Sequence, residues 1–399
     1  MASAEIDPTT ASGRFHLHRM LPRDPSEPGR TASPLELFFD LVFVVAVSIA
    51  SSNLHHALSD GQIWHGVTSY LLVFFAIWWA WMNFTWFATS FATDDWLYRV
   101  LTVVQMAGVL VLAAGIQPAF DDGDFTLAVY GYVAMRVPMV LQWLRAARHA
   151  GPARRAALAY AWGIAAVQVA WVAWLLVPDG PAARLSWLAL AAIDLTIPVL
   201  AERRASTPWH PHHITERFGL FTLIVLGESL LASANAIVEA RQDSGSFDEL
   251  LPLAVLALVV TAGLWWIYFW PPHHESIGTL RQSIRYGYSH YVIFAAAAAF
   301  SAGIEVEIDA LTDDSSLSDL AASLCVTVPV SVFMIATWWV TVRPFADRVV
   351  NTALPLAAVL VLVDPLIPVP FAITSLVIVA VVVVLVVRPP VSADPSPAD

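Results

Sequence analysis

Glu228 stands inside an otherwise apolar stretch, ERFGLFTLIVLGESLLASAN, residues 216–235. Glu216 and Arg217 open that stretch, and Glu228 follows twelve residues later, roughly 18 Å along a helix axis. That places a carboxyl near the middle of a hydrocarbon core about 30 Å thick. Inserting such a group costs at least ~2.5 kcal/mol, so it is expected to face inward, paired or protonated. A second acid-bearing helix starts at Glu36, in ELFFDLVFVVAVS, with Asp40 one turn further. Glu36 and Asp40 are spaced i,i+4 and share one helix face. Arg136 and Asp194 are two further charges within apolar runs, and His290 lies about one turn into another, beside Tyr288 and Tyr291.

Each of these groups supports two chemistries. Glu36 and Asp40 read as an entry site for protons or cations, or as interfacial acids that bind loop arginines and favour a helix N-terminus. Glu228, flanked by Gly227 and Ser229, reads as a relay in a wet cavity or as half of a buried ion pair. Arg136 is one candidate partner and Asp194 another. His290 reads as a proton relay, since imidazole changes charge between pH 5 and 8, or as a hydrogen-bonded packing residue. His210, His212 and His213, His273 and His274, and His55 and His56 match no closed zinc spacing. Neither a metal site nor a cofactor is expected.

These residues need a membrane to position them. The 399-residue chain is 58% hydrophobic and only 13% charged, with mean hydropathy +0.66, about half the charge of a soluble domain. All 20 basic residues are Arg, and no basic face is available to track nucleic acid. The one cysteine, Cys325, excludes an internal disulfide and reads as a small packing residue. No phosphate-binding glycine loop followed by Lys, G-x-S-x-G elbow or H-E-x-x-H is found, and the chain is not expected to be an enzyme.

The expected fold is all-α and integral to the membrane, with about twelve transmembrane helices. The spans fall near 35–54, 66–90, 97–117, 125–148, 156–177, 184–201, 215–238, 250–270, 285–305, 318–341, 349–364 and 370–388. The eleventh is short and broken by Pro355 and Asp364-Pro365. Residues 1–33 and 389–399 read as loose cytoplasmic tails. With both termini inside, the outer loops hold only Arg184 and Arg241, together with acids such as Asp121, Asp122, Asp124, Glu305, Glu307 and Asp309. That asymmetry follows the positive-inside rule.

An internal repeat is also expected. Glu36-x-Phe38 matches Glu216-x-Phe218, Trp78-Trp79 matches Trp265-Trp266, and Arg99 matches Arg285, at offsets of 180 to 187 residues. Six-helix halves at 34–201 and 202–388 would be parallel, related by an axis along the membrane normal. Trp78, Trp79, Trp81 and Trp86, with Trp265, Trp266 and Trp270, read as interfacial belts and packing, or as a gate that closes by dewetting.

SPLELFFDLVFVVAV at 33–47 and HHITERFGLFTLIVLGESLLA at 212–232 resemble two signatures of the bacterial low-temperature-requirement protein A family. Arg136 and Asp194-x-x-x-Pro198 are similar to its pattern as well. The resemblance implies a multi-pass protein of the bacterial inner (plasma) membrane, named for a phenotype rather than a reaction. In architecture the chain is also similar to lysosomal-type potassium channels of two six-helix repeats. Their Phe-Ser-Asp is Phe38-Phe39-Asp40 here, and Phe218-Gly219-Leu220 lacks the acid.

The leading expectation is transport or permeation of a small ion or solute. Glu228, Arg136, Asp194 and His290 would form the intramembrane polar site, and Glu36, Asp40, Glu216 and Arg217 the cytoplasmic mouth. The alternatives are a non-transporting protein of cold adaptation or lipid-state sensing, and an intramembrane lipid-modifying enzyme. The partners expected are the lipid bilayer, the moved ion or solute, and a second copy in a homo-oligomer.

Overall fold

The computed structural model describes residues 17–91, 93–242, 247–367 and 369–391, without the side chains of 236 and 239–249. The chain ends at 1–16, with Arg14, and 392–399 lie outside the described residues, as does the side chain of Arg241. The rest is helical: α1 (Pro34–Ser59), α2 (Ile63–Phe91), α3 (Trp96–Ala114), α4 (Ile116–Asp121), α5 (Thr126–Ala147), α6 (Arg154–Trp174), α7 (Pro181–Arg204), α8 (Pro211–Gln242), α9 (Phe247–Phe269), α10 (Leu280–Leu311), α11 (Asp319–Thr337), α12 (Arg348–Val361) and α13 (Ala372–Val387). Among the described residues, eleven helical segments are long and apolar enough to cross a bilayer. In hydrocarbon, a helix satisfies its own backbone polar groups, which is why this composition yields helices throughout. The twelfth expected span is α13, 16 residues or about 24 Å. The eleventh is α12 with a short 3₁₀ turn, a candidate span over Arg348–Leu366.

Local chemistry marks the helix starts. Ser33 caps α1 in a capping box with Glu36, with Pro34 in the first turn, and Thr279 with Gln282 does the same for α10. Ser318 and Asp347 cap α11 and α12. Buried hydroxyls such as Thr102, Thr222, Thr261 and Thr341 donate to the carbonyl four residues back.

The chain divides into two compact units, each assembled from separated stretches, so neither coincides with a sequential half. The first comprises 1–28, 86–109 and 129–210, and the second 29–85, 110–128 and 211–399. In the first, Trp143 stacks on Tyr160 with ring centroids 4.2 Å apart, and Phe87 meets Trp143 edge-on at 4.8 Å. Buried Glu202 accepts from Trp86 Nε1 at 3.1 Å, Tyr160 Oη at 3.0 Å, and the Thr207 amide and hydroxyl at 2.9 and 2.6 Å. Asp95 pairs through both oxygens with the Arg145 guanidinium.

Residues 17–33 depart from the loose tail expected over 1–33. In the first unit Met20 is fully buried, the His18 amide donates to Asp95 Oδ2 at 3.1 Å, and Arg145 donates to the His18 carbonyl at 2.9 Å. In the second, the Ala32 amide donates to Glu216 at 3.0 Å. Buried partners for the backbone hold down a stretch whose composition is polar.

In the second unit α1, α8 and α10 run in the same direction. Asp40 meets Arg217 near the starts of α1 and α8, and Ser48 meets Glu228 further along. Ser51 donates to the Ala298 carbonyl at 3.2 Å, and His55 reaches Asp309 near the ends of α1 and α10. α10 also packs closely on α11. A Cβ on Gly303 would fall on the backbone carbonyl of Cys325, well inside van der Waals contact.

Two expectations follow. Gly303→Ala forces two backbones apart and lowers stability by about 1–3 kcal/mol, visible as a lower melting temperature in detergent. Asp95→Ala leaves the Arg145 charge buried without its carboxylate, a loss of ~3–5 kcal/mol. Burial raises the Asp95 pKa, but the hydrogen bonds from Arg145, Tyr98 and His18 outweigh it and hold the carboxyl below its usual range. The stabilisation is therefore complete above the ordinary aspartate value of ~3.9 and fades as pH falls through the depressed value. The wild-type melting temperature should drop in that acid window, and the variant's should drop less.

Candidate functional site

The expected mouth residues meet in the second unit, and Glu216 alone turns away, to the Ala32 amide. Arg217 is fully buried. Its guanidinium donates to Asp40 Oδ1 and lies 3.4 Å from Glu36 Oε1. His213 Nε2 is 3.0 Å from the same Glu36 oxygen, and the Trp81 indole donates to Asp40 Oδ1 at 2.7 Å. The other Glu36 oxygen accepts from the Ser33 amide at 2.7 Å, so one side chain caps α1 and also holds α8. The rings of Trp81 and Phe84 sit 5.9 and 5.6 Å from the Arg217 guanidinium carbon, which suits a cation with few waters. Asp40 Oδ2 has no hydrogen-bond partner among the described residues.

Beyond this cluster each of the three parallel helices places an aromatic ring. Phe221 of α8 touches Phe43 of α1 at 6.4 Å, Phe294 of α10 at 4.9 Å and Trp81 at 4.5 Å between centroids. All four side chains are fully buried. Trp265 and Trp266, by contrast, are exposed and take no part in a gate.

A second polar cluster lies past the rings. Glu228 is buried and hydrogen-bonded to Ser48, within electrostatic reach of Glu305. His55 is clamped between two acids, Nδ1 to Glu305 at 3.1 Å and Nε2 to Asp309 at 2.6 Å. Ser59 donates to Asp309 at 2.6 Å and Asn235 to Glu305 at 3.2 Å. Ionised carboxylates only accept hydrogen bonds. The ring therefore donates from both nitrogens as an imidazolium, or one acid carries the shared proton. Two carboxylates on one imidazole, with Glu228 near Glu305, can exchange protons. Glu305 and Asp309, expected in an outer loop, are helical because α10 runs on to Leu311. Their i,i+4 spacing, the same as that of Glu36 and Asp40, is the sequence signal that could have found them.

His290 is satisfied by its neighbours. A carbonyl can only accept, so Nδ1 donates to Tyr286 O at 2.7 Å and Nε2 accepts from the Tyr268 hydroxyl at 2.9 Å. His273, in the α9–α10 loop, donates from Nε2 to Tyr268 O at 2.6 Å and accepts from Tyr286 Oη at 2.8 Å. Burial pushes it down to about 4, so it is neutral at pH 7. His212 stacks on His274 at 4.0 Å. Among the described residues no group of three or more His, Cys, Asp or Glu side chains is arranged to hold a metal.

Arg136 and Asp194 lie in the first unit and pair with each other at 3.6 Å, both buried. Trp171 Nε1 donates to Asp194 at 3.4 Å, and the Tyr132 ring lies 5.2 Å from the Arg136 guanidinium carbon. Glu228, in the second unit, is partnered by Ser48 instead. The four residues expected as one intramembrane site thus have separate partners.

Long apolar helices with charges buried in paired clusters define a multi-pass membrane protein. A family profile described as bacterial low temperature requirement A protein (LtrA) matches residues 31–387, and the chain belongs to that family. It is 30% identical over 249 residues to an uncharacterized protein of Rhizobium meliloti (strain 1021), covering 60% of this chain and 58% of that relative. The chain thus spans under two thirds of that relative's length.

Removing the guanidinium should be costly. Arg217→Gln strands two buried carboxylates and is expected to destabilise by ~3–5 kcal/mol. Arg217→Leu combined with Asp40→Leu should recover part of the loss, since Glu36 keeps His213 and the Ser33 amide but not its guanidinium. A double-mutant cycle on melting temperatures in detergent checks both outcomes.

Proposed function

We propose that the protein moves a small cation, protons included, across the membrane along the seam of α1, α8 and α10. The observation that carries this reading is the cluster of buried Glu228 with half-buried Glu305, Asp309 and His55, whose surplus negative charge is hard to explain as packing. Acids kept inside a membrane protein cost free energy and mark ion paths by default. The ring set Phe43, Phe221 and Phe294 is the gate, closing by excluding water. The cluster of Glu36, Asp40, His213 and Arg217 is the mouth on the other side of the gate. Arg136 and Asp194 act as an internal brace and leave the site expected from sequence. In the same reading α13 is a twelfth crossing, the repeat relates α1 to α8, and both termini are cytoplasmic in the inner membrane.

The alternative is a non-transporting protein of cold adaptation. It is favoured by one observation: Arg217 already has both acids as partners, which suits a permanent clamp.

Flux in liposomes holding purified protein under proton, Na⁺ and K⁺ gradients separates these. Glu228→Gln and Glu305→Gln should each cut the flux at least tenfold, and Phe221→Ala should raise leak. Wild type without flux, or variants that fold normally and carry wild-type flux, would remove the proposal in favour of the structural reading.

A further inference from the structure

A groove of about 670 Å³ opens in the first unit along α6 and α7, within the range of small-molecule sites. Its body is apolar. Trp162 and Leu200 line it, 65% and 52% exposed. Gly163 lets the two helices close, since a Cβ there would lie 2.9 Å from Ile197 Cγ2. Two exposed arginines line the same groove: Arg155 in the first turn of α6 and Arg204 in the last turn of α7. Arg154 and Arg203 stand beside them in sequence, also exposed. Among the described residues none of the four has an ion pair. The one acid next to them in sequence, Glu202, is buried and already accepts four hydrogen bonds.

Cations at one end of an apolar groove on a membrane-spanning helix pair match one kind of molecule. We infer that this groove binds an anionic glycerophospholipid from the surrounding bilayer, its phosphate held by Arg155 and Arg204 and one acyl chain lying over Trp162 and Leu200. Basic pockets between membrane helices recognise anionic headgroups in this way, and the paired guanidinium forks suit phosphate oxygens. A free phosphate would use the arginines and leave the apolar wall uncovered, so the lipid is the better occupant. The site is independent of the cation path and stands or falls separately from it.

The test is retention of phosphatidylglycerol by full-length protein, read by native mass spectrometry from detergent and compared with phosphatidylcholine. Wild type should keep phosphatidylglycerol selectively. Arg155→Gln with Arg204→Gln should lower its occupancy at least tenfold, and the two Lys substitutions should restore most of it. Ala159→Phe fills the groove without touching charge and should lower occupancy as far; Leu200→Trp serves if that variant does not fold. Arg281→Gln with Arg285→Gln, exposed elsewhere, should change nothing. Loss in the glutamine pair with full retention in the filling variants would mean surface attraction only and overturn the groove. So would equal loss in the Arg281 and Arg285 control, or a wild type that does not prefer phosphatidylglycerol.

Discussion

A guanidinium that stays charged and has no exposed surface must bring its counter-charges with it. Arg217 is that group, and the second unit is arranged to suit it. Its carboxylates come from Glu36 and Asp40, 177 or more residues away in sequence. Their i,i+4 spacing presents both acids to one neighbour. The pairing sets the register of α1 against α8, and the register sets what meets further along. Phe43 then faces Phe221, and Ser48 faces Glu228. A one-turn slip between these helices would leave a charge in hydrocarbon at one level and break the ring contacts at the next. The two stretches that resemble family signatures are the two that form this clamp.

The clamp differs from the acid cluster at the other end of the same helices. There, two carboxylates share one imidazole and a third, Glu228, is held by Ser48, with other hydroxyl and amide donors around them. The clamp side chains are almost fully buried, whereas His55, Glu305 and Asp309 are partly exposed. A dry cluster closed by direct partners fixes geometry; a more open one has room for a mobile charge. The fully buried rings between them separate the two, and each ring comes from a different helix of the parallel trio. The first unit treats its charges in the first manner. Asp95 with Arg145, Arg136 with Asp194, and Glu202 with its four donors are each closed by partners within that unit.

Much of this was legible in the chain. Apolar runs marked the helices, because hydrocarbon leaves the backbone little alternative. Glu36, Asp40 and Arg217 stood out as buried charges at the ends of such runs, and the structure brings them together. What failed was range. Glu228 and Arg136 were joined in expectation because both are costly in lipid, yet cost says nothing about which helices are neighbours. In sequence, the run of Glu and Asp around 305 and 309 reads as a solvent-facing loop. The extra turns of α10 and a histidine on α1 change that reading. Residues 17–33 were polar enough to pass for a tail, and only tertiary partners for their amides and for Met20 hold them. In sequence Trp81 is one of many tryptophans; only the fold puts its indole on Asp40.

The shared direction of α1, α8 and α10 has an electrical consequence. Each helix carries about half a positive charge at its start and half a negative charge at its end. Neighbouring helices that alternate in direction cancel these fields, but three that agree add them. At the first cluster the three positive ends reinforce Arg217 and steady the acids Glu36 and Asp40. At the second, the ends of α1 and α10 place negative charge beside His55 and Asp309, which suits a positive charge there. The trio is polarised from end to end. A transmembrane voltage therefore acts on an oriented dipole as well as on side-chain charges, and the two signs of voltage are not equivalent for this protein.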